Sequence, residues 1–186
     1  SRPQALEVFL PQWLEALRER SGTGAKALEF LLLTAVRSGD VRGMVWGEVD
    51  LDEAVGTIPA ERLKVKGKGD HDVPLSAAAV LLLQGLPRMA GVDLVFPAPN
   101  GGMMSDMTMG KVMKTIHAKA DGEGYLDEKS KKPATPHGLR ATFRTWAGDK
   151  EYSREHAEIA LAHVFAGNTE RSYVRSTYIE QRRPMM

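Results

Sequence analysis

Thr135–Arg183 reads TPHGLRATFRTWAGDKEYSREHAEIALAHVFAGNTERSYVRSTYIEQRR, and the rest of the chain is interpreted outward from it. Thr135-Pro136 is a helix start, a threonine cap followed by a proline at the first helical position, where a missing N–H costs nothing. The helix is expected to run to about Asp149, followed by helices over Ser153–Ala162 and Asn168–Gln181. His137 and Arg140 stand three apart near the first helix start, so they share one face. The free N–H groups and the dipole at that end attract an anion. His163 follows Ile159-Ala-Leu-Ala and precedes Phe165-Ala-Gly. Tyr173 and Tyr178 lie on the last helix, with Arg171 and Arg175 flanking the first of them.

Each of these features has a bland alternative. A lone His-x-x-Arg is most often a surface histidine beside a carboxylate-paired arginine. A histidine at a helix end is commonly just hydrogen-bonded there, and a tyrosine on an apolar face commonly anchors its helix. Zinc is disfavoured, because His156 and His163 lie seven apart without a third ligand at metal spacing. Taken in order, the His-x-x-Arg pair, the later histidine and the tyrosine point to a tyrosine nucleophile attacking a phosphodiester. A phenol has a free pKa of about 10, so nearby cations must help it lose its proton.

Upstream, Phe9–Arg20 reads as an amphipathic helix with Pro11 in its first turn and Trp13, Leu14 and Leu17 as its buried stripe. Ala25–Ser38, AKALEFLLLTAVRS, is apolar nearly all round and is expected to be the central helix. Arg37 closes its last turn and Gly39 follows as a cap; an arginine there also suits the helix dipole. Val55–Lys64 and His71–Leu75 read as a hairpin around Lys66-Gly-Lys-Gly, with Pro59 marking an edge strand. Ser76 caps an Ala/Leu-rich helix to about Leu86. Ser105 or Asp106 caps another to about Ala120, with Met107, Met109, Val112, Met113 and Ile116 inside. Residues 121–134 are polar and glycine-containing and are expected to form a mobile loop. The fold class is mainly α with a small antiparallel β-sheet, an α+β arrangement.

The length of 186 residues suits one domain. The chain has no cysteine, which excludes disulfides and thiolate metal sites and suits a reducing cytoplasm. No apolar run approaches the ~18–20 residues that span a membrane, and the start lacks a signal peptide. A first residue of Ser rather than Met points to a fragment. The net charge is only +1, but residues 129–186 hold eleven Lys and Arg against six Asp and Glu, a local +5 that leaves −4 for the first 128. That asymmetry could grip phosphates on one face, or it could be an ordinary solvated helical surface.

The chain resembles the catalytic domain of the tyrosine recombinases, specifically the prophage-type integrases. The resemblance covers essentially the whole chain and is carried best by ALEFLLLTAVRSGDVRGMVWGEVDL from Ala27, IPAERLKVKGKGDHDVPLS from Ile58, PHGLRATFRTW from Pro136 and LAHVFAGNTERSYVRSTYIEQRRPMM from Leu161. The family pattern is Arg, Lys, His-x-x-Arg, His or Trp, then Tyr. Arg37, His137, Arg140 and His163 match in that order, Tyr173 falls where the nucleophile should be, and Tyr178 is too far along. The family's carboxylate three residues after the first arginine is here Asp40, shorter than the usual Glu, and expected to orient Arg37. The hairpin lysine is Lys64 by its Arg-x-Lys context or Lys66 by its distance from Val73-Pro74, with Lys64 preferred.

The resemblance implies strand exchange on double-stranded DNA through a 3′-phosphotyrosine and a free 5′-hydroxyl, without metal, cofactor or ATP. Arg37 and Arg140 would clamp the phosphate, because guanidinium stays charged and donates in a planar fork. The lysine would protonate the leaving oxygen, His137 would assist Tyr173 as base, and His163 would donate to a phosphate oxygen. It further implies arm-binding and core-binding domains upstream of residues 1–186, a homotetramer on DNA, a monomer for the free fragment, and a bacterial or phage-encoded cytoplasmic protein. Two alternatives remain within the same fold: a type IB topoisomerase-like nicking and resealing enzyme, and a non-catalytic DNA-binding remnant.

Overall fold

In a computed structural model of the protein, the described residues are 5–64, 69–120, 122, 124–126, 131–163 and 178–186, with side chains described from residue 10 onward. The central element is α2 (Thr23–Thr34), whose Ala27, Leu28, Phe30 and Leu31 are fully buried. Around it pack α1 (Ala5–Arg18), α4 (Ala77–Gln84), α5 (Thr108–Lys119) and α6 (Pro136–Asp149), together with the short helix that follows it in the chain. The apolar faces of α1 and α5 meet α2 with Trp13, Leu17, Met109, Met113 and Ile116. Phe30 meets Phe96 with ring centroids 5.4 Å apart, a tilted pair of the favoured kind. At the edge of this core, Glu29 is buried but accepts from Arg18 Nε at 2.7 Å, so α1 is tied to α2 by a charged bond as well as by packing.

The sheet has three antiparallel strands in the order β1 (Val49–Asp50), β2 (Val55–Ile58), β3 (His71–Pro74). β2 pairs with β3 from Val55 opposite Pro74 to Ile58 opposite His71. The small antiparallel sheet on a helical body agrees with the expected fold class. Pro59 does not mark an edge strand, because β2 is the central strand and ends at Ile58, one residue before the proline. There the missing N–H interrupts no ladder bond.

Several boundaries differ from expectation. α1 begins at Ala5, so Pro11 is interior and forfeits one backbone bond. α5 begins at Thr108 without a side-chain cap, and Met107 just before it is exposed rather than inside. Tyr178 has φ 48°, a left-handed conformation, so no helix runs through it, and the short α8 (Ile179–Arg182) follows, ending in a 3-10 turn over Arg183–Met185. Residues 168–177 of the expected last helix lie outside the described residues. By contrast Ser76 caps α4, its Oγ accepting from Ala79 N at 3.3 Å. Thr135 caps α6 in the same way, accepting from Gly138 N at 3.2 Å.

The difference with most consequence is the end of α2. The expected helix to Ser38 breaks at Ala35, which adopts φ 54°. Thr34 turns its hydroxyl back onto Phe30 O at 2.7 Å and accepts from Val36 N at 3.5 Å, a local bond that competes with continuing the helix. Left-handed backbone costs an alanine roughly 1–2 kcal/mol. Arg37 is therefore not in the last turn of α2. It is extended, at φ −65° and ψ 144°, and caps the start of α3 (Ser38–Arg42).

Candidate active site

The break after α2 frees the Ala35 carbonyl from helix bonding, and Arg140 takes it. Arg140 lies one turn into α6, buried, and its Nε donates to Ala35 O at 2.8 Å. Its Nη2 donates to Leu161 O at the end of α7 (Arg154–Ala160). Arg37 Nη2 donates to the next carbonyl, Ala162 O, at 3.2 Å. Ala162 is left-handed at φ 50°, and this turns α7 off just before His163. Two guanidinium groups from elements far apart in sequence thus hold consecutive carbonyls of the turn that carries His163. Arg37 is brought to Arg140 and His163, each more than a hundred residues along the chain from it.

The electrostatics follow from burial. Burial first, and the neighbouring Arg37 charge second, push the Arg140 pKa down to about 10 against the opposing pull of Asp40. Arg140 therefore stays charged at neutral pH. Asp40 is buried, and desolvation raises its carboxyl above the ordinary 3.8 despite the opposing pull of Arg37, Arg62 and Arg140. Asp40 is expected to orient Arg37, and the contacts that join them are a backbone bond and the field of its carboxylate. Its backbone N–H donates to Arg37 O at 2.9 Å, but among the described residues its carboxylate forms no direct ion pair. Asp is one methylene shorter than the usual Glu, and its carboxylate acts on the arginines through the field alone. Two neighbouring cations, Arg140 buried and Arg37 half-buried, repel, and an anion between them relieves that repulsion and gains fixed donors.

The other expected residues are more scattered. His137 sits in the first turn of α6 and is exposed, while Arg140 one turn on points into the protein. Lys64 is exposed and bonds to none of Arg37, Arg140 or His163, though it directly follows a fixed base. Arg62 makes that base. Its Nη2 pairs with Glu48 Oε2 at 2.9 Å and its Nη1 donates to Gly43 O, while Leu63 is buried in the core. The same Glu48 oxygen accepts from Val45 N at 3.2 Å. Lys66 and Tyr173 lie outside the described residues.

Three residues at the site escaped the sequence reading: Arg62, Glu158 and Arg144. Arg62 could have been found as the first residue of the Arg-x-Lys pattern. Glu158 and Arg144 carried no signal, since a Glu five residues before a His and an Arg four after another are ordinary in helices. Among the described residues there is no cluster of three His, Asp or Glu side chains able to hold a metal ion. Among the same residues no helix is long and apolar enough to cross a membrane.

Comparison with known proteins bears on the family and the fold. The model of the phage integrase family matches residues 10–180. The prophage integrase IntA of Escherichia coli K12 is 34% identical over 183 residues, 95% of this chain and 41% of the relative. The integrase of Enterobacteria phage P4 is 31% identical over 175 residues, 86% of this chain and 38% of the relative. The chain thus spans about two fifths of the length of these curated relatives. Among solved structures, the Tn1549 transposon integrase in complex with circular intermediate DNA superposes with a TM-score of 0.65 at 18% identity, covering 96% of this chain and 64% of that one. XerA recombinase superposes with a TM-score of 0.62 at 22% identity, covering 95% and 64%. A lambda integrase dimer bound to a core site gives 0.60 at 19%, covering 89% and 58%. At such identities the structural matches establish the fold, and the sequence match establishes the family: the chain belongs to the phage integrase family and has the fold of a tyrosine recombinase catalytic domain.

Proposed function

We propose that residues 1–186 form the catalytic domain of a site-specific recombinase that cuts and rejoins double-stranded DNA through a 3′-phosphotyrosine, with Tyr173 as nucleophile. The observation that carries this reading is the convergence of Arg37 and Arg140 on the Leu161–Ala162 carbonyls beside His163. A phosphodiester under attack gains charge on its non-bridging oxygens, and preorganised donors aimed at that charge stabilise the transition state. Two guanidinium groups and an imidazole supply such donors without a metal. Arg37 and Arg140 clamp the phosphate, and His163 donates to one of its oxygens. His137, exposed at the mouth of α6, assists loss of the Tyr173 proton. Lys64, on its fixed base, delivers a proton to the leaving 5′-oxygen. The phosphotyrosine conserves the energy of the broken bond, so rejoining needs no ATP.

In this reading further DNA-binding domains precede the catalytic domain, the enzyme works in the cytoplasm, and it assembles as a tetramer on its sites. The test is a nicked duplex carrying the host–element junction, incubated with protein and resolved under denaturing conditions. A protein–DNA band lost in Tyr173→Phe and kept in Tyr178→Phe is the expected result. A band that survives Tyr173→Phe overturns the assignment of the nucleophile.

A further inference from the structure

His163 is held from two directions, and the second has no place in the chemistry above. Its backbone lies in the turn gripped by Arg37 and Arg140, and its N–H donates to Glu158 O at 2.9 Å. Its ring is held by the Glu158 side chain, whose Oε2 lies 2.7 Å from His163 Nδ1. The other carboxylate oxygen, Oε1, lies 2.6 Å from Arg144 Nη2. The Glu158 side chain is only 8% exposed, against 38% for His163 and 50% for Arg144, so the carboxylate is the buried centre of this trio. Arg144 stands one helical turn beyond Arg140 on α6. One face of α6 therefore fixes both the turn that carries His163 and the carboxylate that holds its ring.

We infer that Glu158 is the positioning residue for His163, fixing its hydrogen on Nδ1 so that Nε2 is the nitrogen that addresses the scissile phosphate. This inference rests on the recombinase reading above. The chemistry is one-directional. An ionised carboxylate can only accept, so the imidazole must donate from Nδ1, whichever charge it carries. His163 can then donate from Nε2 only as the doubly protonated ring. Arg144, paired with the other carboxylate oxygen, orients the group. Partners of this kind behind a functional histidine are typically worth about 10–100-fold in affinity or activity.

Glu158→Gln distinguishes positioning from packing. The amide has one oxygen and one NH2. The permanent Arg144 cation claims the oxygen, and the NH2 then faces Nδ1 as a donor, which forces the ring hydrogen onto Nε2. The ring state is read by two-bond proton–nitrogen NMR on 15N-labelled protein, with His163 assigned by its loss in His163→Gln. The expected result is Nδ1–H in the wild type and Nε2–H in Glu158→Gln, with adduct formation slowed at least about 10-fold. DNA affinity and melting temperature should stay near wild type. A wild-type ring whose single hydrogen sits on Nε2 and leaves Nδ1 bare, an unchanged ring in Glu158→Gln, or an unchanged adduct rate overturns the inference. If the wild type forms no adduct on the nicked junction duplex, the recombinase reading is overturned instead, and with it the catalytic use of the ring; the NMR result still decides whether Glu158 sets the tautomer. Glu158→Ala, which removes the His163 contact and the Arg144 ion pair together, gives the same slowing without tautomer inversion and serves as the second variant.

Discussion

The helical body and the site region are held together by different forces. The body around α2 is apolar: Trp13, Leu28, Phe30, Leu31, Met109 and Met113 exclude water from one another with little directional bonding. In the site region, charged side chains bond backbone carbonyls. Arg140 bonds Ala35 O and Leu161 O, Arg37 bonds Ala162 O, and Arg62 bonds Gly43 O. The C-terminal end repeats the device, for Arg182 is fully buried and donates to Asp72 O at 2.7 Å, while Arg183 donates to Ala54 O and Glu53 O. Burial pushes the Arg182 pKa down to about 10, with Asp72 opposing. Apolar packing tolerates change in shape if volume is kept, whereas a buried guanidinium bonded to two carbonyls tolerates neither loss of charge nor loss of its fork. The first arrangement supplies stability, and the second places charge.

The comparison can be broken by substitution. Trp13→Ala should cost the most stability, about 4 kcal/mol by urea unfolding, because it empties a large volume in the body. Its folded fraction should still form adduct, since Trp13 packs within the apolar cluster of the body. Arg140→Lys should cost roughly 2 kcal/mol, because one ammonium cannot replace the fork and a buried carbonyl is left unpaired. It should abolish adduct formation even where the protein remains folded. If Arg140→Lys retained full adduct formation, the claim that the site depends on directional bonding would fail. Leu28→Met, a volume-conserving change in the body, should cost under about 1.5 kcal/mol and leave adduct formation unaltered.

Asp40→Asn should have the smallest effect on stability and is best read against pH. The folded-state pKa of Asp40 is raised above 3.8, so the folded protein binds that proton more tightly than the unfolded chain. Its contribution is fullest below the unfolded value and is lost as pH rises through the folded one. Asparagine stays neutral throughout, so the variant should gain stability relative to the wild type between pH 3 and pH 7. A difference that moves the other way would mean that the arginines outweigh desolvation at Asp40.

The parts of the site legible in the sequence are those with local signals. Thr135-Pro136 announces the start of α6, so His137 and Arg140 could be placed on its first turns. The apolar run from Ala25 identifies the central helix. The break at Ala35 was not legible, because Thr34, Ala35 and Val36 form no glycine or proline signal and the left-handed turn is held by tertiary partners. The partners of Arg140 were not legible either, since a carbonyl has no residue identity. Glu158 and Arg144 are ordinary helical residues whose meaning comes only from facing His163.

The sequence by itself determined the helical body, the small hairpin sheet, the family and the order of the residues offered to chemistry. These follow from periodicity, caps, turn residues and motif spacing, which are local properties of a chain. Only the tertiary structure decided that Arg37 leaves its helix, that it and Arg140 meet on adjacent carbonyls beside His163, and that Glu158 takes the ring. Those are contacts between segments far apart in sequence, fixed by burial and by the need of each buried carbonyl and charge for a partner.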